Sequence, residues 1–170
     1  RLELHHCQNK QETDAVYQEL TLKSGCHATK LNDCDLTYVY VRDTATQQIA
    51  AYLAFKVFRR PLVYIDIIWI CTDVNYRRRG LSTILNLVPI LLALKLKADL
   101  VVVDANESSG PLLQKQFGFT WSKNGDYLED IGHLLKWQSS PTACLDLRQT
   151  VVRKQTVNLI KKIARTYVCK

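Results

Sequence analysis

One stretch near the middle of the chain limits its fold more than any other. Residues Val63 to Thr72 (V-Y-I-D-I-I-W-I-C-T) are β-branched or aromatic at most positions, the composition of a buried strand. After four intervening residues comes Arg77-Arg78-Arg79-Gly80-Leu81-Ser82, and from Leu81 to Lys97 apolar residues recur at helical spacing. A strand that enters a basic, glycine-bearing turn opening a helix suits an anion. The first N–H groups of the helix have no partner within it, and glycine lets a phosphate approach the backbone. The arrangement is that of a pyrophosphate cradle. A solvated basic turn is the other reading of the same residues.

The chain has 170 residues, one domain by length and enough for a real core. The longest apolar candidate for a membrane span, Leu81 to Leu94, is broken by Ser82, Thr83, Asn86 and Pro89. No secretory leader is recognisable, and a chain that starts at Arg1 without any Met reads as processed or trimmed. Six cysteines (Cys7, Cys26, Cys34, Cys71, Cys144, Cys169) form no C-x-x-C pair and no zinc spacing. His5-His6-Cys7 and Cys26-His27 are at most half-sites, so no metal is expected. Scattered cysteines fit free thiols in a reducing compartment, the cytoplasm or the nucleus. The net charge of +7 is uneven: residues 146–170 hold seven Lys/Arg and one acid, while residues 1–145 hold sixteen and fifteen. The basicity belongs to the tail, which argues against nucleic acid as a partner of the main body.

Along the chain, Leu2 to Cys7 reads as a first strand and Gln8 to Leu22, with Val16, Tyr17 and Leu20 at helical spacing, as a helix. A short helix or loop is expected over His27 to Asp35. Leu36 to Arg42 and Ile49 to Phe58 form an antiparallel hairpin, followed after Pro61 by the strand Val63 to Thr72. Pro89 is expected to bend the long helix. Leu100 to Val103 is a short continuous apolar run typical of a central parallel strand, and Pro111 to Phe117 a short helix stopped by Gly118. Phe119 to Ser122 and Tyr127 to Trp137 read as closing strands around the turn Lys123-Asn124-Gly125-Asp126. After Gln138 to Pro141, Val151, Val152, Leu159, Ile160, Ile163 and Tyr167 fall on one stripe of a basic helix. Residues 1–137 are thus expected to be the domain and 138–170 a helical extension. The fold class is mixed α/β, with six to seven mostly antiparallel strands flanked by helices.

Several of these features stand in one order: Ile49-Ala50-Ala51-Tyr52, the apolar strand, Tyr76-Arg77-Arg78-Arg79-Gly80-Leu81-Ser82 and its helix, Val101-Val102-Val103-Asp104-Ala105-Asn106, and Phe117-Gly118-Phe119. In this the chain resembles the GNAT superfamily of N-acetyltransferases over about residues 2–137. The resemblance implies acetyl-CoA as cosubstrate. Arg77 holds the family's Arg/Gln position and Gly80 its glycine, with Ser82 in place of the usual Gly or Ala. By the same resemblance Arg78 and Arg79 would add charge, and the backbone N–H groups of the turn Arg77 to Ser82, Gly80 and Leu81 included, would wrap the pyrophosphate. Ile70-Cys71-Thr72 would pair with the pantetheine arm, and Asn106 would bond to it as well as cap a helix.

The resemblance also implies direct attack of an amine on the thioester. Such an amine is protonated at neutral pH and needs a base. Asp66, the only charge between Val63 and Thr72 and eleven residues before Arg77, holds the position where the protein-lysine branch of the family carries a catalytic Glu. A structural buried carboxylate is the other reading. Where many members place a general-acid Tyr, this chain has Gln114; Tyr127 or water would take its place. Cys71 reads as a small core thiol rather than a nucleophile. Acids at Glu12, Asp14, Glu19, Asp33 and Asp35, and at Asp126, Glu129 and Asp130, suit a cationic acceptor, a small amine or a protein, and equally suit solvated loops. The tail stripe suits docking on its own domain, in a homodimer or on a partner. A different class of function, a CoA-binding or interaction module without catalysis, fits the loss of the Tyr.

Overall fold

A computed structural model describes residues 1–22 and 35–168 of the chain. The strands follow the order β1-β2-β3-β4-β5-β7-β6 in a seven-stranded, mostly antiparallel sheet. The residues group into two compact units, Arg1–Val57 with Ile67–Pro89, and Phe58–Asp66 with Ile90–Lys170. Strand β4 (Tyr64–Thr72) and helix α2 (Leu81–Lys95) run from one into the other.

In the first unit, β1 (Leu2–His6) pairs antiparallel with β2 (Thr37–Asp43), and β2 with β3 (Ile49–Phe58), with a register shift between Val41 and Arg42. Helix α1 (Lys10–Thr21) starts where Asn9 accepts a bond from the Glu12 N–H at 2.8 Å and Glu12 accepts one from the Gln8 N–H at 2.8 Å. These reciprocal bonds satisfy donors that the first helical turn leaves open. Its apolar stripe puts Val16 and Leu20 against Tyr38, Tyr40, Ile49, Tyr52 and Ala54. Glu19 ties the helix to the hairpin, accepting from Arg42 at 3.3 Å and from the Ile49 N–H at 2.9 Å. Glu12 also accepts from the Tyr40 hydroxyl at 3.0 Å. Two of the acids considered for an acceptor wall therefore hold the fold together. Asp33, and all of the expected element over His27 to Asp35 except Asp35, lie outside the described residues.

In the second unit, β5 (Leu100–Val103) is buried throughout and pairs antiparallel with β7 (Ala143–Asp146), which pairs on its other side with β6 (Thr120–Trp121). Helix α3 (Gly110–Phe117) ends at Gly118, left-handed at φ 76°, whose N–H donates to the Gln114 carbonyl at 3.1 Å. A side chain at Gly110 would stand 2.1 Å from Trp121, so only hydrogen fits there.

The expected strand over Tyr127 to Trp137 is instead helix α4 (Glu129–Leu134). Leu128, Ile131, Leu134 and Leu135 recur at three- and four-residue spacing and pack with Tyr64, Leu100, Val102 and Cys144. Acids at Glu129 and Asp130 and a histidine at His133 suit the two ends of a helix. The strand between β5 and the edge strand β6 is β7, which falls in the stretch expected to be a helical extension.

Helix α5 (Thr150–Val168) turns Val152, Thr156, Leu159, Ile160 and Ile163 inward and Lys154, Lys161, Lys162 and Arg165 to solvent. Val151, expected on the apolar stripe, is 65% exposed. Arg153 anchors the helix through the carbonyls of Leu147 at 3.0 Å and Ala98 at 3.1 Å. Among the described residues no helix is long and apolar enough to cross a membrane.

Candidate active site

The basic turn is held from below by its own neighbours. A short 3-10 turn, Val74–Tyr76, is capped by Asp73, which accepts from the Asn75 N–H at 2.8 Å. The buried Tyr76 donates its hydroxyl to Asp43 at 2.8 Å and lies beside the Thr46 hydroxyl at 3.1 Å. The Tyr76 bond is the main reason the Asp43 carboxyl sits below its ordinary range. On this base Arg77, Arg78, Arg79 and Gly80 stand exposed. Arg78 at φ 64° and Gly80 at φ 74° are both left-handed. That is uncommon for an arginine and ordinary for glycine. Turns of this kind make N–H-lined concavities that take anions, and here the turn opens directly into α2 at Leu81.

Arg77 donates from Nε to the Thr72 carbonyl at 3.3 Å, and the Arg79 guanidinium lies 5.1 Å over the Tyr76 ring. Among the described residues none of the three arginines is ion-paired with a carboxylate. Three arginines without an ion-paired carboxylate among the described residues and a left-handed glycine at the start of a helix fit a pyrophosphate. Ser82 is half-buried, and its carbonyl accepts from the Asn86 side chain at 2.9 Å.

Ile70, Cys71 and Thr72 form the end of β4, all half-buried. Cys71 is disulfide-bonded, whereas Cys7 and Cys144 are free. The expectation of free thiols therefore fails at Cys71, where distance along the sequence gave no pairing signal. Burial pushes the Cys7 thiol up to about 11 and the Cys144 thiol up to about 12, so both are inert core groups.

In the second unit Asp66 faces Ser139. The Ser139 hydroxyl donates to Asp66 Oδ2 at 2.6 Å and lies 3.2 Å from the Tyr64 hydroxyl. Asp66 and Tyr64 are two residues apart on β4 and share a face. Asn106 caps the approach to α3. Its Oδ1 accepts from the N–H groups of Ser108 at 2.9 Å and Ser109 at 3.0 Å. The cap expected of it is thus present, and its side-chain amide nitrogen has no hydrogen bond among the described residues. Thr142 pins this loop, its hydroxyl accepting from the Ala105 N–H at 2.8 Å. Sequence reasoning singled out neither Ser139 nor Thr142, because both act across long separations that no local pattern records.

Gln114 is exposed on α3. Tyr127, 53% exposed, precedes α4 with its ring edge-on to Trp137 at 6.5 Å. It lines a cavity of about 510 Å³ together with Leu128, Glu129, Asp130, Cys144 and Asp146. Arg148 binds Asp146 through two bonds of 2.9 Å and holds that carboxyl below its ordinary range, so Glu129 and Asp130 give the cavity its acid character.

No protein-family profile and no curated protein sequence matches the chain. Solved structures do. An acetyltransferase of the GNAT family from Staphylococcus aureus is 10% identical, with a TM-score of 0.58, covering 85% of this chain and 96% of that one. Ribosomal-protein-alanine N-acetyltransferase from Brucella melitensis is 14% identical, with a TM-score of 0.56, covering 72% of this chain and 94% of that one. Glucosamine-6-phosphate N-acetyltransferase from Arabidopsis thaliana is 10% identical, with a TM-score of 0.54, covering 68% and 89%. At such identities the likeness is one of architecture, and it is consistent: the chain has the GNAT fold of the N-acetyltransferases.

Proposed function

We propose that the protein is an acetyl-CoA-dependent N-acetyltransferase that passes the acetyl group to a primary amine by direct attack. The observation that carries this reading is the turn Arg77–Ser82, with left-handed residues at Arg78 and Gly80 and arginines that have no ion pair among the described residues, at the start of α2. In this role the backbone of Gly80, Leu81 and Ser82 receives the pyrophosphate, and Arg77, Arg78 and Arg79 supply charge. The strand end Ile70-Cys71-Thr72 and the side chain of Asn106 take the pantetheine arm. Asp66 accepts the proton of the amine, through a bridging water where its short side chain falls short. The nitrogen bonds to the thioester carbonyl carbon and the carbon–sulfur bond breaks. CoA leaves as the thiolate or takes a proton from Tyr127.

Glu129 and Asp130, which give their cavity its acid character, favour a cationic acceptor, either a small polyamine or a protein amine. The apolar stripe of α5 is turned inward and Arg153 ties the helix to Leu147 and Ala98, which favours docking on its own domain over a homodimer or partner. Persistent disulfides belong to oxidising surroundings, so Cys71 weighs against the reducing cytoplasm or nucleus that scattered cysteines suggest.

A second reading is a CoA-binding module without catalysis, favoured by Gln114 in place of a Tyr. Calorimetry with acetyl-CoA, followed by CoA release on a panel of spermidine, a lysine peptide and an alanine-terminated peptide, separates the two. Binding with turnover supports the enzyme, and binding without turnover leaves the module. Absence of binding removes both.

A further inference from the structure

We propose that Ser139 is a positioning residue for Asp66, delivered to it by a strained turn that ends α4. The proposal rests on the reading of Asp66 as the base. Its first support is the bond itself. At 2.6 Å, the Ser139 hydroxyl to Asp66 Oδ2 distance lies in the range of hydroxyl bonds to an ionised carboxylate. With that proton directed at Asp66, the hydroxyl of Tyr64, 3.2 Å away, is left as the donor to Ser139. Tyr64 is fully buried and stacked on Phe58 at 4.6 Å, so packing holds this end of the chain of bonds. Ser139 is itself 7% exposed. The order Tyr64 to Ser139 to Asp66 fixes one carboxylate oxygen and sets the rotation of the group.

The second support is how Ser139 gets there. Lys136 at φ 51° and Trp137 at φ 55° are both left-handed, and neither is glycine. Two adjacent residues in that region are costly, and such strain gathers at functional sites. The turn is clamped. Trp137 donates its N–H to the Gly132 carbonyl at 2.9 Å, and Lys136 to that of His133 at 3.0 Å. The Trp137 ring meets Tyr127 edge-on at 6.5 Å and His133 at 5.3 Å. A Cβ on Gly132 would lie 2.4 Å from the Trp137 ring, so the missing side chain is what lets the ring close over the helix.

The test uses the full chain, acetyl-CoA and the amine of the panel that turns over fastest. Ser139→Ala is expected to lower kcat about tenfold, the effect of one lost bond to a charged group, with the KM and binding constant for acetyl-CoA unchanged. Ser139→Thr, which keeps the hydroxyl, is expected to recover most of the loss. If Ser139→Ala fails to fold, Ser139→Cys, near in size and a weaker donor, is expected to show a smaller fall in kcat alone. Full kcat in the alanine (or, failing that, the cysteine) variant, beside a large loss in Asp66→Asn, would overturn the positioning role and leave the base standing. So would a fall in kcat matched by weaker acetyl-CoA binding, which marks a structural role. Full activity in Asp66→Asn, or no turnover in the wild type, would remove the base reading and this proposal with it.

Discussion

The turn at Arg77–Ser82 and the cluster at Asp66 hold charge by opposite means. The turn is exposed, contiguous in sequence and built mainly from backbone, with its arginines resting on Thr72 and Tyr76. The cluster is inward-facing, and its central bond joins residues 73 positions apart. It is built from side chains, each placed by packing. The turn should therefore tolerate changes of side chain and fail when its backbone is altered. The cluster should fail when a single functional atom is lost.

The sharpest contrast comes from removing one atom's chemistry. Asp66→Asn keeps shape and hydrogen-bonding capacity but cannot take the amine's proton. It is expected to lower kcat about 10²- to 10⁴-fold, with acetyl-CoA binding intact by calorimetry. Loss of binding instead would make Asp66 part of the architecture. In the turn the matching change is Gly80→Val. At φ 74° a β-branched residue is strained by roughly 1–3 kcal/mol, so acetyl-CoA affinity should fall about tenfold or more while the circular dichroism spectrum stays native. Unchanged affinity would show that the turn does not hold the cofactor.

Smaller effects sharpen the same comparison. Gly132→Ala would push on the Trp137 ring and is expected to cost about 1–3 kcal/mol in denaturant unfolding, with a shift in tryptophan fluorescence. An unchanged midpoint would mean that the clamp gives way without strain. The smallest effect lies beneath the turn. Asp43 is held below its ordinary range by the Tyr76 hydroxyl. Stabilisation from a depressed carboxyl is present above its unfolded value and is lost as pH falls through the folded one. Tyr76→Phe should therefore lower the thermal midpoint modestly at pH 7, and the gap to wild type should close below about pH 4. A gap that persists in acid would assign the effect to packing alone.

The same contrast explains what was legible in the sequence. The β4 strand, the basic turn, α2, β5 and the Gly118 stop are each set by local composition, and the structure has them where residue type placed them. Helix α4 was hidden by the turn signal at Lys123–Asp126, which reads as a hairpin even though Leu128, Ile131, Leu134 and Leu135 carry helical spacing. Strand β7 has four residues and no alternation, so it becomes a strand through pairing with β5. Ser139 has no local signature, because its bond to Asp66 joins distant parts of the chain, and no local pattern marks Cys71 as disulfide-bonded. The cofactor half of the proposed site was thus open to sequence reasoning, and the partners of the base were not.

The most direct test of the central claim is to incubate the protein with acetyl-CoA and the three-amine panel and follow both products by mass spectrometry. The account predicts that an amine gains one acetyl group for each CoA released, and that Asp66→Asn loses this activity while still binding acetyl-CoA. Acetyl-CoA bound by the wild type with no amine acetylated would contradict it.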